Sequence, residues 1–253
     1  MKKFILTLPF FLCFGLVSQE KENPIEPNTS PSIENFKKEL QEYYSPPDCF
    51  FLSFKTDIVV PNMGRQSAEG SVRADNKNNR IRILLVEPNL GITISWITII
   101  RNMAYLSNPR REGVIKISLK ELELGSFANN NIKIPFSLFK DILFGRLPEE
   151  LLESETWEID DQIKGTYRNH QGDLVTFFFN KKEPKRIEKI EYRNPKTNYI
   201  GIVNFINKFY NTKYPQKIEI QTFQNKTSLE SMWISFYRYI ENARCKNEHF
   251  PLQ

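Results

Sequence analysis

Asp75-Asn76-Lys77-Asn78-Asn79, followed by Ile81, Ile83 and Leu85 with Arg82 between them, is the stretch that decides how this chain folds. Asn and Asp tolerate the backbone a tight turn needs, and alternation of large apolar with polar residues marks a strand with one dry face. The same grammar recurs at Ser107-Asn108-Pro109-Arg110, Asn169-His170-Gln171-Gly172, Asn194-Pro195-Lys196-Thr197-Asn198 and Gln224-Asn225-Lys226. Each polar turn is flanked by β-branched and aromatic runs, so the chain folds back on itself repeatedly as antiparallel sheet.

The strands between these turns repeat the alternation. Phe50, Leu52, Phe54, Ile58 and Val60 oppose Ser53, Lys55 and Asp57, and Ile92, Ile94 and Trp96 oppose Thr93 and Ser95. Val175, Phe177 and Phe179 follow, then Ile218 and Ile220, then Met232, Ile234 and Phe236. Thr227 to Ile240 has a helical alternative, but Ser231, Trp233, Ser235, Tyr237 and Tyr239 alternate as a strand does. The expected class is mainly β, one large curved antiparallel sheet with many large side chains on one face.

Two segments interrupt this pattern. Ser32 suits a helix N-cap, Ile33, Phe36, Lys37, Leu40 and Tyr44 fall on one helical stripe, and Pro46-Pro47 ends it. From Leu119 to Glu155, Phe136, Leu138, Phe139, Ile142, Leu143 and Leu147 recur at helical spacing, started by Pro135 and ended by Gly145 and Pro148. A second turn, Glu149 to Glu153, adds Leu151 and Leu152. This apolar helix must lose its water somewhere, and lying across the mouth of the curved sheet dries both surfaces at roughly 25 cal/mol per Å².

The start of the chain reads as an export signal. Met1-Lys2-Lys3 is basic, Phe4 to Val17 is almost wholly apolar, and Ser18 precedes the polar Gln19-Glu20-Lys21-Glu22, so cleavage is expected after residue 18. The apolar run is shorter than the ~20 residues a transmembrane helix needs. Lipoprotein processing at Cys13 is the less favoured alternative, because Phe10, Phe11 and Leu12 are bulky where such a site wants small residues. Residues 19–31 are Pro, Asn and Glu rich and read as a tether. Residues 32–253 then form the single folded domain, with the helical insertion at about 120–154.

Loss of Met1 to Ser18 removes two lysines from a net charge of +5, leaving a mildly positive surface of mixed sign that does not call for nucleic acid. Only Cys49 and Cys245 remain, one just before the first strand and one just after the last. A disulfide tying the domain ends together is favoured over two free thiols. His170 and His249 sit in no metal-ligand pattern, and no Gly-x-Ser-x-Gly elbow or glycine-rich phosphate loop is present. The acidic pairs Glu149-Glu150 and Asp160-Asp161 read as solubilising turns. No enzyme activity, catalytic residue, metal or cofactor is expected.

Signal, short helix, long antiparallel sheet and a mid-chain helical insertion ending in Leu143-Phe144-Gly145-Arg146-Leu147-Pro148 resemble the LolA/LolB lipoprotein-carrier superfamily over roughly Ser32 to Gln253. The resemblance implies an incomplete β-barrel of about eleven strands under a helical lid. It also implies an apolar cavity for the acyl chains of lipoproteins or lipids, in a monomer of the periplasm or outer-membrane surface. Arg82-Ile83-Leu84-Leu85-Val86-Glu87-Pro88-Asn89-Leu90-Gly91 is similar to the receptor branch, where a loop pushes a leucine outward to engage the membrane; here that residue is Leu90. Candidate cavity walls are Leu52, Phe54, Ile83, Leu85, Ile94, Trp96, Met103, Phe177 and Phe179, and candidate lid residues are Phe139, Ile142 and Leu143. Each of these also suits an ordinary core. Carrier and receptor roles both stay open, as does an envelope protein-interaction or sensor module on the same fold. That module would use Tyr192, Tyr199, Tyr237 and Tyr239 with Arg186, Arg193 and Arg238 as an exposed patch.

Overall fold

The computed structural model describes residues 32–60, 64–109, 113–127, 132–159, 162–183, 185–208 and 214–252. The export signal, the tether and Cys13 lie outside the described residues. Helix α1 (Ile33–Tyr43) precedes six strands: β1 (Cys49–Val60), β2 (Gly64–Asp75), β3 (Arg80–Val86), β4 (Thr93–Ile100), β5 (Met103–Ser107) and β6 (Val114–Ser118). The insertion carries a 3-10 turn (Leu124–Phe127), α2 (Phe136–Phe144) and α3 (Glu149–Glu153). Seven strands follow: β7 (Thr156–Ile159), β8 (Ile163–Arg168), β9 (Leu174–Phe179), β10 (Ile187–Asn194), β11 (Tyr199–Lys208), β12 (Pro215–Gln224) and β13 (Thr227–Glu241).

All thirteen strands form one antiparallel sheet in the order β6-β5-β4-β3-β2-β1-β13-β12-β11-β10-β9-β8-β7. Neighbours in sequence are neighbours in space, with one exception that organises the rest: β13 pairs with β1 at the centre. β6 and β7 are therefore the two free edges, and the insertion is the segment of chain that joins them. Thirteen strands exceed the eleven implied by the resemblance. The additional ones are hard to read because β2 carries only Val72 and Ala74 as buried apolar residues and β7 is four residues long.

Ser107–Arg110 runs into residues outside those described; each of the other polar turns named above joins two paired strands, and the turn chemistry is visible. Asn194 Oδ1 accepts from the Lys196 and Thr197 amides at 3.0 Å, and Asp75 Oδ1 accepts from the Asn78 amide at 3.1 Å. Asn79, Asn198 and Asn225 take the left-handed φ that asparagine tolerates best after glycine. Thr227 onward is a strand, and Ser32 caps α1 by accepting from the Asn35 amide at 3.3 Å.

The register defines an inner face. Ile97, Ile83, Val72 and Leu52 stand opposite one another across β4, β3, β2 and β1, and Phe177, Ile190, Val203 and Ile220 do so across β9 to β12. All eight are buried in one core that also takes Phe36 and Leu40 of α1 and the apolar face of α2. Phe36 meets the rings of Trp157 and Phe179 edge-on, each at 5.9 Å, so α1 seals the β7 end of the sheet.

Candidate functional site

The insertion is tied to the inner face at two points, and both ties use a glycine of a strand. Ile134 lies over Gly201, where an added Cβ would come within 2.8 Å of its Cδ1. Leu151 lies over Gly165, where a Cβ would meet Leu151 Cδ1 and the Trp157 ring at 2.9 Å. Removing the side chain from the strand lets the crossing segment come this close. The first tie is reinforced by the Tyr199 hydroxyl, which accepts from the Lys133 amide at 2.9 Å, and the second by Trp157 Nε1, which donates to the Leu151 carbonyl at 3.3 Å. The arms of the first tie pair with each other, Leu124 N to Ile134 O at 2.9 Å and Phe136 N to Leu122 O at 2.8 Å.

Between these ties lies α2. Pro135 begins it with φ −56°, and Gly145 ends it with φ 69°, the left-handed cap whose geometry favours glycine. Phe139, Ile142 and Leu143 are buried at 6%, 8% and 4% exposure. Two small voids run beside them. One of about 10 Å³ is bordered by Leu52, Ile142, Leu143, Ile218 and Phe236. The other, of about 30 Å³, is bordered by Tyr44, Ile142, Gly145, Arg146, Ile187 and Phe205. Pockets for organic ligands usually measure roughly 300–1,000 Å³. In this conformation α2 occupies the space that a ligand would need.

The nine candidate wall residues separate into two groups. Leu52, Phe54, Ile83, Phe177 and Phe179 are buried on the inner face in the core that α2 joins, and Leu85 packs against that core. Trp96 pairs with Leu84, not Leu85, and Met103 pairs with Ile100, so the register places both on the opposite face. Ile94 falls where the register skips from Leu85↔Ser95 to Val86↔Thr93 and is 38% exposed. The physical reason is that β4 reads Thr-Ile-Ser-Trp-Ile-Thr-Ile-Ile, apolar on both parities, and it is Ile97 and Ile99 that turn inward. Of the aromatic patch, Tyr192 and Tyr199 are buried inside while Tyr237 is exposed. Tyr192 pairs with Val175 and Gly201, which carries it to the inner face.

The inner face also uses residues that alternation did not single out, Ile134 and Leu151 among them. The signal available in the sequence was a glycine inside each facing strand, Gly165 and Gly201.

Asp141 lies 3.2 Å from Lys140, and burial pushes its carboxyl above the usual aspartate range, opposed by Lys140 and Arg146. Burial also pushes the Tyr214 hydroxyl up to about 12. Among the described residues no group of three or more His, Cys, Asp or Glu is arranged to hold a metal ion.

At the far end of β3 the chain turns through Leu90, which is 72% exposed. The Glu87 carboxylate accepts from the amides of Asn89 at 3.0 Å and Leu90 at 2.5 Å, and the Gly91 amide donates to the Glu87 carbonyl at 2.9 Å. The side chain of Leu90 thus projects from a turn held by the side chain and carbonyl of Glu87, beside Ile92, which is also exposed. Cys49 and Cys245 are disulfide-bonded, with Cα atoms 6.0 Å apart. No helix of the described residues is long and apolar enough to cross a membrane.

An open antiparallel sheet with an insertion from edge to edge and a helix packed in its interior is an arrangement found in solved structures. A LolA superfamily protein from Nitrosomonas europaea superposes with a TM-score of 0.58 at 15% identity, over 86% of this chain and 96% of that one. This chain has the LolA fold. A domain from Vibrio parahaemolyticus, named for outer membrane lipoprotein sorting, matches with a TM-score of 0.59 at 13% identity over 85% and 92% of the two chains. A DUF1329 family protein from Desulfovibrio piger matches with a TM-score of 0.59 at 9% identity over 86% and 95%. No protein-family model matches the sequence, and no curated protein matches it. At these identities the likeness is one of fold, and the LolA fold hosts the site described above.

Proposed function

We propose that this protein is a non-enzymatic binder of lipid acyl chains that carries or receives lipoproteins in the periplasm, at the outer-membrane surface. The observation that carries the reading is the seating of α2, nine residues of helix laid on the apolar inner face of an open sheet. Leu52, Ile218 and Phe236, which border a void with Ile142 and Leu143, would be uncovered if α2 lifted, while the ties at Ile134 and Leu151 kept the insertion attached.

Magnitudes favour an exchange. Burying a Leu, Ile or Phe is worth ~1.5–3 kcal/mol, so Phe139, Ile142 and Leu143 together hold α2 down by roughly 5–9 kcal/mol. An acyl chain returns ~0.8 kcal/mol per CH₂, so about six to eleven methylenes offset the loss. A cargo with two or three long chains exceeds that threshold, and the filled interior excludes water until such a cargo arrives.

The test is native mass spectrometry of the protein purified from its own cell envelope, followed by organic extraction. A stoichiometric lipid or lipoprotein is the expected result. A clean apo mass that stays unchanged after incubation with a diacylated peptide would remove the proposal. The filled interior also suits an interaction module that never opens, and that second reading would then take its place.

A further inference from the structure

The outer face of the sheet carries a groove under the C-terminal segment. Arg82, Arg73, Phe51 and Ile240 form one cross-strand row over β3, β2, β1 and β13, with Arg238 two positions along from Ile240. The segment after β13 crosses this face as a strap. Arg73 Nη1 donates to the Arg244 carbonyl at 2.5 Å and Arg82 Nη1 to the His249 carbonyl at 3.4 Å. Arg80 Nη1 donates to Asn247 Oδ1 at 2.9 Å, Thr98 Oγ1 to the Pro251 carbonyl at 2.8 Å, and the Cys49–Cys245 bond anchors the near end. Strap and sheet enclose an open groove of about 500 Å³, lined by Phe51, Arg73, Arg238, Arg244, Lys246 and His249.

Four arginines gather at this groove and strap. Arg65, Arg80 and Arg193 each have a carboxylate, at 2.7, 2.5 and 2.6 Å. Among the described residues, no carboxylate pairs with Arg73, Arg82, Arg238 or Arg244. The acid at the rim, Glu248, is taken by Lys246 at 3.4 Å. Arg73 and Arg82 stand directly opposite each other in the ladder, a like-charge placement that costs stability. Burial further disfavours the charge on both. The guanidinium carbons of Arg73 and Arg238 lie 5.2 and 5.9 Å from the centre of the Phe51 ring, which holds both at the floor.

We propose that this groove binds a phosphate-bearing ligand, with Arg73 and Arg238 donating to its oxygens and Phe51 as the apolar floor. A phosphate monoester brings up to two negative charges and three acceptor oxygens, and planar guanidinium forks match that geometry better than any other side chain. The site lies on the face away from α2 and stands whether or not acyl chains are carried.

The test uses the purified protein and two probes, inorganic phosphate and phosphatidylglycerol vesicles, with vesicles of phosphatidylcholine, a zwitterion whose phosphate is screened by its own ammonium and whose net charge is zero, as the control. Binding is followed by NMR of the arginine Nε–Hε signals and by vesicle cosedimentation. Affinity for at least one probe is expected to fall tenfold or more in Arg238→Gln, an exposed position that does not threaten folding, and again in Arg73→Gln. Lys196→Gln, in the exposed turn between β10 and β11, removes the same charge and should bind as the native chain does. Response to phosphate alone identifies a soluble ligand, and response to the anionic vesicles identifies a lipid headgroup. Absence of binding to both probes, or binding that Arg238→Gln leaves intact, overturns the proposal.

Discussion

Ile134 rests on Gly201 so closely that a methyl group added to the glycine would meet its Cδ1 at 2.8 Å and its Cγ1 at 2.9 Å. Gly201→Ala should therefore push the first tie of the insertion off the sheet, destabilising the protein by about 1–3 kcal/mol, the usual cost of an overpacked core. Denaturant unfolding checks the magnitude. Hydrogen exchange checks the location, because the amide of Lys133, which donates to the Tyr199 hydroxyl, should lose protection while β1 and β13 keep theirs.

Asp141 makes the seating of α2 depend on pH. Its folded carboxyl titrates above the ordinary aspartate value of 3.8, so the seated state holds its proton more tightly than a lifted, solvated α2 does. Closure is thus strongest below the ordinary value and weakens as pH rises through the raised one. Exchange of the α2 amides, corrected for the intrinsic pH dependence of exchange, should show less opening in acid than at neutral pH. Asp141→Asn should flatten that profile and leave α2 better seated at neutral pH.

Leu90 is exposed and its turn is held by Glu87 and Gly91, so Leu90→Ala should change stability by no more than about 0.5 kcal/mol. Membrane engagement is the property that should suffer. Partition onto phospholipid vesicles is expected to weaken about tenfold or more, since a buried leucine side chain is worth roughly 1.5–3 kcal/mol. Unchanged partition would take the turn out of any membrane role.

The Cys49–Cys245 bond closes a loop across a sequence separation of 196. In the chain-entropy view a loop of that size stabilises by up to about 5 kcal/mol, so Cys245→Ser should lower the denaturant midpoint strongly. Cys49→Ser should do the same, and the double variant little more, because both remove one constraint.

Much of the fold could be read from local chemistry. The turns at Asp75–Asn79 and Asn194–Asn198 announce themselves because Asx side chains satisfy the turn amides without outside help, and β13 was readable because Ser231 to Phe236 alternate; beyond the bulge at Tyr237 the parity changes, and Tyr239 stands opposite Leu52 on the inner face. The site was less legible, and β4 shows why. With isoleucine or tryptophan on both parities, nothing within the strand says which face turns inward; the pairing of Ile97 with Ile83 and of Trp96 with Leu84 decides it, and pairing is a property of two strands. The same holds for Tyr192 and Tyr199, which polarity alone assigns outward. The arginine groove needed the register of four strands and the path of the strap together.

The pairing of β1 with β13 has a kinetic consequence. The middle of the sheet is made from the first and last strands of the chain, so it is the part that closes last during synthesis. Until β13 has emerged, β1 and β12 each expose a bare edge of unpaired amides and carbonyls, and the sheet exists as two unjoined halves tethered through the insertion. Such a closing contact carries a large loop entropy and slows folding. Assembly therefore waits for β13, and any truncation that reaches into it leaves two open half-sheets prone to join the wrong partner.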